Sequence, residues 1–370
     1  MKTKVLFFVS TLESGGPTNV IYNIIRYLDR ATVEPVILTL SPEPSRSRKG
    51  DFEDLGVSIH QFNQSRVSWI ISGGKALRQY IANIEPHIIH SHSLRPDIFS
   101  AKHLEGYIRI STLHANLKDN YINTYNRPIG DYFAYTQIKH VNHLEKVVAC
   151  SKSVYEVYKN KVDSIDFIPN GVDAAIFKPL SPEAITQKRS ELNLPANKKI
   201  FISVGSLCAR KDPHTLIKGF LSSEHKNDSI LLMLGTGELE TELKSTYTSE
   251  NILFKGYIKD VVAYLEVSDF FMSASWSEGL PNTVMEALGC GLPTCLSDIA
   301  AHHEILSINP DAGIIFKCGD HEGLSNSINT LMKKEYTSLR KAAVSIIEQE
   351  LSAKKMAASY QKLYLSMYNP

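Results

Sequence analysis

Short apolar runs alternate with longer amphipathic stretches along this chain, and the alternation starts over near its middle. The first series reads VLFFV, TNVIYNIIRYL, VEPVILTL, GVSIHQF, ISGGKALRQYIANI, HIIHSHS, YIRISTLHA and KVVACS. Strand-length apolar runs separated by helix-length segments are the pattern of βαβ units in a parallel sheet. The second series opens at KKIFISVGSL and continues through HTLIKGFLSS, SILLMLGTG, ELETELKSTY and NILFKGY. This restart predicts an α/β protein of two doubly wound halves. Between them DFIPNGVDAAIFKPLSPEA carries Pro169, Gly171, Pro179 and Pro182 with no sustained period, so it reads as the interdomain crossover, and the first sheet is expected to end near Phe167. The last forty residues are helical by composition and spacing.

Composition narrows the function classes. The 370 residues hold 40 Lys+Arg against 39 Asp+Glu, which argues against attachment to nucleic acid or membrane by bulk charge. With 43% hydrophobic residues, two domains can each bury a core and global disorder is excluded. The opening apolar run, Val5 to Val9, is too short for a signal peptide, and no later run approaches the roughly 20 residues of a membrane span. Cys150, Cys208, Cys290, Cys295 and Cys318 form no CxxC pair, as expected of free thiols in a reducing compartment. The chain is expected to be cytoplasmic.

The richest segment for chemistry is SASWSEGLPNTVMEALGCGLPTCLSD, in which seven residues separate Glu278 from Glu286. Two readings fit Glu286. Thr283 and Glu286 have the spacing of a capping box. Alternatively, the turn Gly279-Leu280-Pro281 sets backbone amides at a helix start, where an anion such as phosphate binds. Pro281 has no N–H, which leaves Asn282 and Thr283 as donors.

SEGLPNTVMEA resembles the E-x7-E motif of the retaining nucleotide-sugar glycosyltransferases of family 4, which have the GT-B fold. Further matches occur in the family's order: Gly15-Gly16, His114 after YIRIST, IPNGVD, VGSLCARKDP, LLMLGTGELE and FKGYIKD. The resemblance implies two Rossmann-like domains facing across a cleft. It gives an acceptor-side domain over 1–172, a nucleotide-sugar domain over 173–350, and a helix over 351–370 that returns to the first domain. It also implies that Glu286 holds the ribose hydroxyls and Glu278 the transferred sugar, and that Lys211 neutralises the diphosphate. The family's arginine is Ser206 here, so either Arg210 compensates or the diphosphate has one cation fewer. Without the resemblance, Arg210 and Lys211 read as a solvated loop pair. The resemblance places Gly15 and Gly16 against the diphosphate, Gly235 and Ile258 around the nucleotide, and His114 beside the donor sugar. Read by themselves, Gly15-Gly16 is a tight turn, Gly235-Thr236-Gly237 an incomplete dinucleotide fingerprint, and His114 a structural strand-end histidine.

No Asp-x-Asp occurs, so protein cations and helix dipoles are expected to replace a diphosphate-bound metal, and no cofactor or essential metal is expected. His90 and His92 share a strand face, with His87 in the opposite sense; a metal site there lacks Cys or carboxylate ligands nearby. His302-His303 beside Glu304 reads as a structural loop pair. Residues 102–161 hold nine Lys+Arg, five Asp+Glu and seven of the seventeen tyrosines. Within them a helix over 132–146 is either a solvated helix with core tyrosines or a surface for the inner leaflet or a lipid-linked acceptor. The expected partners are a nucleotide-sugar donor and a saccharide or lipid-linked acceptor, with no nucleic acid. A GT-B sugar phosphorylase and a nucleotide-sugar-binding assembly subunit, the latter favoured by Ser206, stand as alternatives.

Overall fold

The computed structural model describes residues 2–62 and 68–368, with side chains except those of residues 68–73. Met1 and residues 369–370, at the ends of the sequence-based domain bounds, lie outside the described residues. The chain divides into two compact units, residues 1–170 with 353–370, and residues 171–352. The bounds at 172 and 350 thus move to 170 and 352, and backbone pairing gives the reason. The amide of Asn170 still donates to Cys150 at the edge of the first sheet, whereas that of Val172 donates to Leu351.

The first unit is built on seven strands, β1 (Thr3–Val9), β2 (Val33–Thr39), β3 (Ser58–Gln61), β4 (Ile88–His92), β5 (Ile108–Leu113), β6 (Lys146–Ala149) and β7 (Ile165–Phe167). Their order is β3-β2-β1-β4-β5-β6-β7, and neighbours run parallel throughout. The interior strands are buried on both faces, which is why they are uninterrupted apolar runs in the sequence. Helix Gly16–Tyr27 follows β1, with Pro17 in its first turn, and turns Val20, Ile21, Ile24 and Ile25 inward. Helix Ala353–Met367 packs on it and buries Ala353, Met356, Ala357, Tyr360 and Tyr364, a stripe of helical period. Burying each tyrosine ring contributes about 1.5–3 kcal/mol before entropy, and each hydroxyl finds a buried partner.

The second unit repeats the plan with β8 (Lys199–Val204), β9 (Ser229–Leu234), β10 (Ile252–Gly256), β11 (Phe270–Ser273), β12 (Thr294–Ser297) and β13 (Gly313–Phe316). The order is β10-β9-β8-β11-β12-β13, again all parallel. In each sheet the chain leaves the first strand toward one edge and later returns to fill the other. The carboxyl ends of β1 and β4, and of β8 and β11, therefore sit side by side at a switch point, where doubly wound sheets open a crevice for ligands.

Candidate functional site

The switch point of the second unit gathers the charged residues of the site. Beyond β8 the chain forms a short 3-10 turn, Ala209–Lys211, ended by Asp212 in the left-handed region (φ 46°). Aspartate tolerates that conformation, and its carboxylate accepts from the amide and hydroxyl of Thr215, capping helix Pro213–Ser222. This turn aims Arg210 and Lys211 at the loop after β11. There Nζ of Lys211 donates to Oε1 of Glu278 at 2.5 Å, and Nη1 of Arg210 donates to the same oxygen at 3.0 Å and to the Ser277 carbonyl at 2.6 Å. The amide of Trp276 closes the junction by donating to the Arg210 carbonyl at 2.9 Å. Ser203, Gly205, Ser206, Lys211, Ser273 and Ser275 line a small pocket beside it.

Glu278 is 11% exposed. Burial alone would raise its pKa, but Lys211 and Arg210, with hydrogen bonds from Lys211 and Ser275, outweigh it and hold the carboxyl at about 2. It is ionised at neutral pH. Arg210 and Lys211 are thus an ion-paired, largely buried couple and not the solvated loop pair that their surroundings in the sequence suggest.

Gly235 is required by backbone packing. It sits at the end of β9 with φ +135°, and a Cβ there would lie 1.9 Å from the carbonyl oxygen of Gly205. One at Gly237 would lie 2.3 Å from that of Leu207. Hydrogen bonds from Gly205 to Leu234 and from Leu207 to Thr236 bind the two loops backbone to backbone. Ile258 follows β10 and is half-buried.

Helix Asn282–Gly289 begins directly after the Glu278 turn with Pro281 at its N-cap and no side-chain cap. The capping box is therefore not formed: Thr283 already lies inside the helix, because the missing N–H of Pro281 is harmless at a helix start. Gly279, Leu280 and Pro281 are buried, Asn282 and Thr283 half-buried, and Glu286, in the second turn, is 8% exposed. His302 and His303 also depart from the loop reading, since helix Ala300–Ile308 contains both. His302 is buried with Nδ1 2.8 Å from the Ser297 carbonyl, and His303 pairs with Asp298 at the surface.

In the first unit, Gly15 and Gly16 stand where helix Gly16–Tyr27 begins beyond β1, with open space beside Gly15 and no acidic residue in the first turn. Helix Leu94–His103 follows β4, and His114 follows β5 directly. His92 Nδ1 lies 2.9 Å from His114 Nε2, and His90 is bonded through both ring nitrogens, to Tyr364 and Thr112. His87 accepts from the Lys4 amide at the other end of β4. Among the described residues no group of three or more His, Cys, Asp or Glu side chains is arranged to hold a metal ion.

Sequence reasoning missed Asp97. It is fully buried, and its oxygens accept from the Ser91 hydroxyl and the Gln137 amide, both at 2.6 Å. Gln137 in turn accepts from Tyr121. Burial outweighs these bonds and raises the carboxyl to about 6. A folded-state value raised above the ordinary 3.8 means that the native chain binds the proton more tightly than the unfolded one. The stabilising contribution is then full below the unfolded value and lost as pH rises through about 6. Asp97→Asn is expected to remove a decline of about 3 kcal/mol between about pH 4 and 7, read from urea midpoints of both proteins across that range. Identical pH profiles would contradict it.

Helix Arg127–Val141 starts five residues before the expected 132 and ends five before 146, because Asn126 caps it by accepting from the Ile129 amide and Lys146 belongs to β6. It buries Gly130, Ala134, Gln137 and Val141 and exposes Tyr132 (63%) and Tyr135 (67%), so these two tyrosines are surface residues, not core. Among the described residues no helix is long and apolar enough to cross a membrane.

Two parallel doubly wound units, with a cation pair and a carboxylate at the switch point of the second, define a doubly wound α/β class of protein. Family models agree: "Glycosyltransferase Family 4" matches residues 14–176 and "Glycosyl transferases group 1" matches residues 184–349. The chain belongs to glycosyltransferase family 4 and has the GT-B fold. It is 30% identical to an Escherichia coli UDP-Gal:alpha-D-GlcNAc-diphosphoundecaprenol alpha-1,3-galactosyltransferase over half of this chain, an alignment spanning 49% of that relative's length. It is 23% identical to the Escherichia coli O-antigen biosynthesis glycosyltransferase WclY over 99% of both chains. Among solved structures, Anabaena Alr3699/HepE in complex with UDP and glucose superposes with a TM-score of 0.81 at 18% identity, covering 99% of this chain and all of that one.

Proposed function

We propose that the protein is a retaining glycosyltransferase that moves a sugar from a UDP-sugar to a saccharide or lipid-linked acceptor, in the synthesis of a cell-surface polysaccharide or glycolipid. The observation that carries this reading is the Lys211–Glu278–Arg210 cluster at the switch point of the second sheet. The two cations neutralise a diphosphate, with Arg210 supplying the charge that Ser206 lacks. Glu278 accepts from hydroxyls of the transferred sugar and Glu286 from those of the ribose. In the first unit Gly15 and Gly16 let backbone approach the donor, and His114 acts on the transferred sugar.

The acceptor hydroxyl attacks the anomeric carbon on the face that the diphosphate leaves. The bond from that carbon to the diphosphate oxygen breaks, a bond to the acceptor oxygen forms, and the acceptor's proton passes to the departing phosphate. Positioning and charge stabilisation supply the rate, and the protein's own cations take the place of a metal. UDP is favoured because the name of one relative and the bound ligand of one structural neighbour both contain it. The same relative's diphosphoundecaprenol acceptor favours a lipid-linked one, handled by a cytoplasmic protein whose Tyr132 and Tyr135 touch the inner leaflet.

Thermal shift with UDP-, GDP- and ADP-sugars tests the donor. A ligand at a hundred times its Kd stabilises by about 2.7 kcal/mol, a rise of roughly 5–10 °C for a unit of this size. The rise is expected with UDP-sugars, with EDTA present, and is expected to be smaller in Lys211→Ala at the same sugar concentration. Equal shifts in both proteins, or none with any nucleotide sugar, would reject the site.

A further inference from the structure

In the first sheet β4 and β5 pair so that His92 stands opposite Thr112, two residues before His114. The His92 ring is 1% exposed, and its Nδ1 lies 2.9 Å from Nε2 of His114. Its other nitrogen, Nε2, is buried with no hydrogen-bond partner among the described residues. Phe7 stacks near the ring, with centroids 6.2 Å apart. His90 packs against it at 4.2 Å between centroids, with its own nitrogens committed to Tyr364 and Thr112. The His92 ring is thus held in place and has one polar link, to His114.

Burial lowers the basicity of both rings, His92 well below the ordinary histidine range and His114 to about 4, so both are neutral near pH 7. A neutral imidazole has one N–H and one lone pair, and a single hydrogen joins the two rings. If His114 supplied it from Nε2, the proton of His92 would sit on its Nε2, a buried N–H with no acceptor, at a cost of about 1–3 kcal/mol. If His92 supplies it from Nδ1, the unpartnered Nε2 is only a lone pair, and buried donors are left unpaired more rarely than buried acceptors. His114 then carries its own proton on Nδ1, on a half-buried ring, and no protein group pairs that nitrogen among the described residues.

We propose that His92 is a positioning residue that holds His114 in its Nδ1–H tautomer, so that His114 meets the sugar as a hydrogen-bond donor and not as a base. This rests on His114 acting on the transferred sugar, as proposed above. The pairing agrees with the mechanism, because a His114 already protonated on Nδ1 and engaged on Nε2 has no lone pair for the acceptor's proton, which goes to the departing phosphate.

Nitrogen-15 spectra of histidine-labelled protein at neutral pH read the tautomer directly, in wild type and without turnover. The expected result is His114 as Nδ1–H in wild type and a mixture of tautomers in His92→Phe. With a UDP-sugar and acceptor, His92→Phe is expected to lower kcat about tenfold with KM unchanged, and His92→Asn, whose amide can still donate, to recover most of the loss. If His92→Phe does not fold, the wild-type spectrum decides alone. An Nε2–H His114 in wild type, or a tautomer unchanged in His92→Phe, overturns the role of His92 and leaves the glycosyltransferase reading standing. Full activity in His114→Ala overturns the sugar contact of His114, and with it any positioning role for His92.

Discussion

Lys211→Ala is expected to lower kcat about 10²–10³-fold, the loss typical when one preorganised charge at a departing group is removed, while the protein stays folded. The fold should survive because Glu278 keeps its bond from Arg210 at 3.0 Å and is not left as a buried carboxylate without a partner. Breaking a buried pair outright costs about 3–5 kcal/mol. Here the remaining guanidinium and the 20% exposure of the lysine keep the loss to about 1 kcal/mol. Glu278→Ala is the informative contrast. It leaves two largely buried cations without their shared carboxylate, so it should weaken stability as well as transfer. Initial rates at saturating UDP-sugar, together with a melting curve for each variant, separate the two effects. A Lys211→Ala enzyme with kcat within a few-fold of wild type would show that the diphosphate's charge is met elsewhere.

The sheets were legible in part, because parallel strands buried on both faces leave continuous apolar runs: the runs of the first series became β1–β6 and those of the second β8–β10, while the four-residue strands β11–β13 were not read. Local signals served less well wherever a partner came from far along the chain. Arg210 and Lys211 carry nothing in their own segment to say that Glu278, 67 and 68 residues away, takes both of them. Asp97 is one acidic residue on a short amphipathic helix until Ser91 and Gln137 close over it. Thr283 and Glu286 have capping-box spacing, but Pro281 already starts the helix, and two readings of one local pattern are separated only by where the helix begins. The alternation of His90 and His92 placed them on one face. That His114 would join them follows from the β4–β5 register, which no local pattern reveals.

Gly235→Ala tests whether the Gly-Thr-Gly turn is built for a ligand or for the sheet. Alanine at φ +135° costs about 1–3 kcal/mol in backbone strain. The Cβ would also lie 1.9 Å from the Gly205 carbonyl oxygen, a backbone atom that cannot swing aside as a side chain could. The amide of Gly205 is bonded to Leu234 and that of Gly235 to Gly256, so relieving the contact means parting the carboxyl ends of β8 and β9. Overpacking of this kind adds about 1–3 kcal/mol, for a total of about 2–6 kcal/mol and a melting point lower by roughly 10 °C. Gly15→Ala is the control. Its backbone is extended (φ 173°), a Cβ meets nothing within 4 Å, and stability should hold to within about 0.5 kcal/mol. Urea midpoints of the two variants decide the matter. A stable Gly235→Ala that has lost UDP-sugar binding would mean that the glycine makes room for the nucleotide. A destabilised one places it in the frame that carries Gly205 and, beyond it, Lys211.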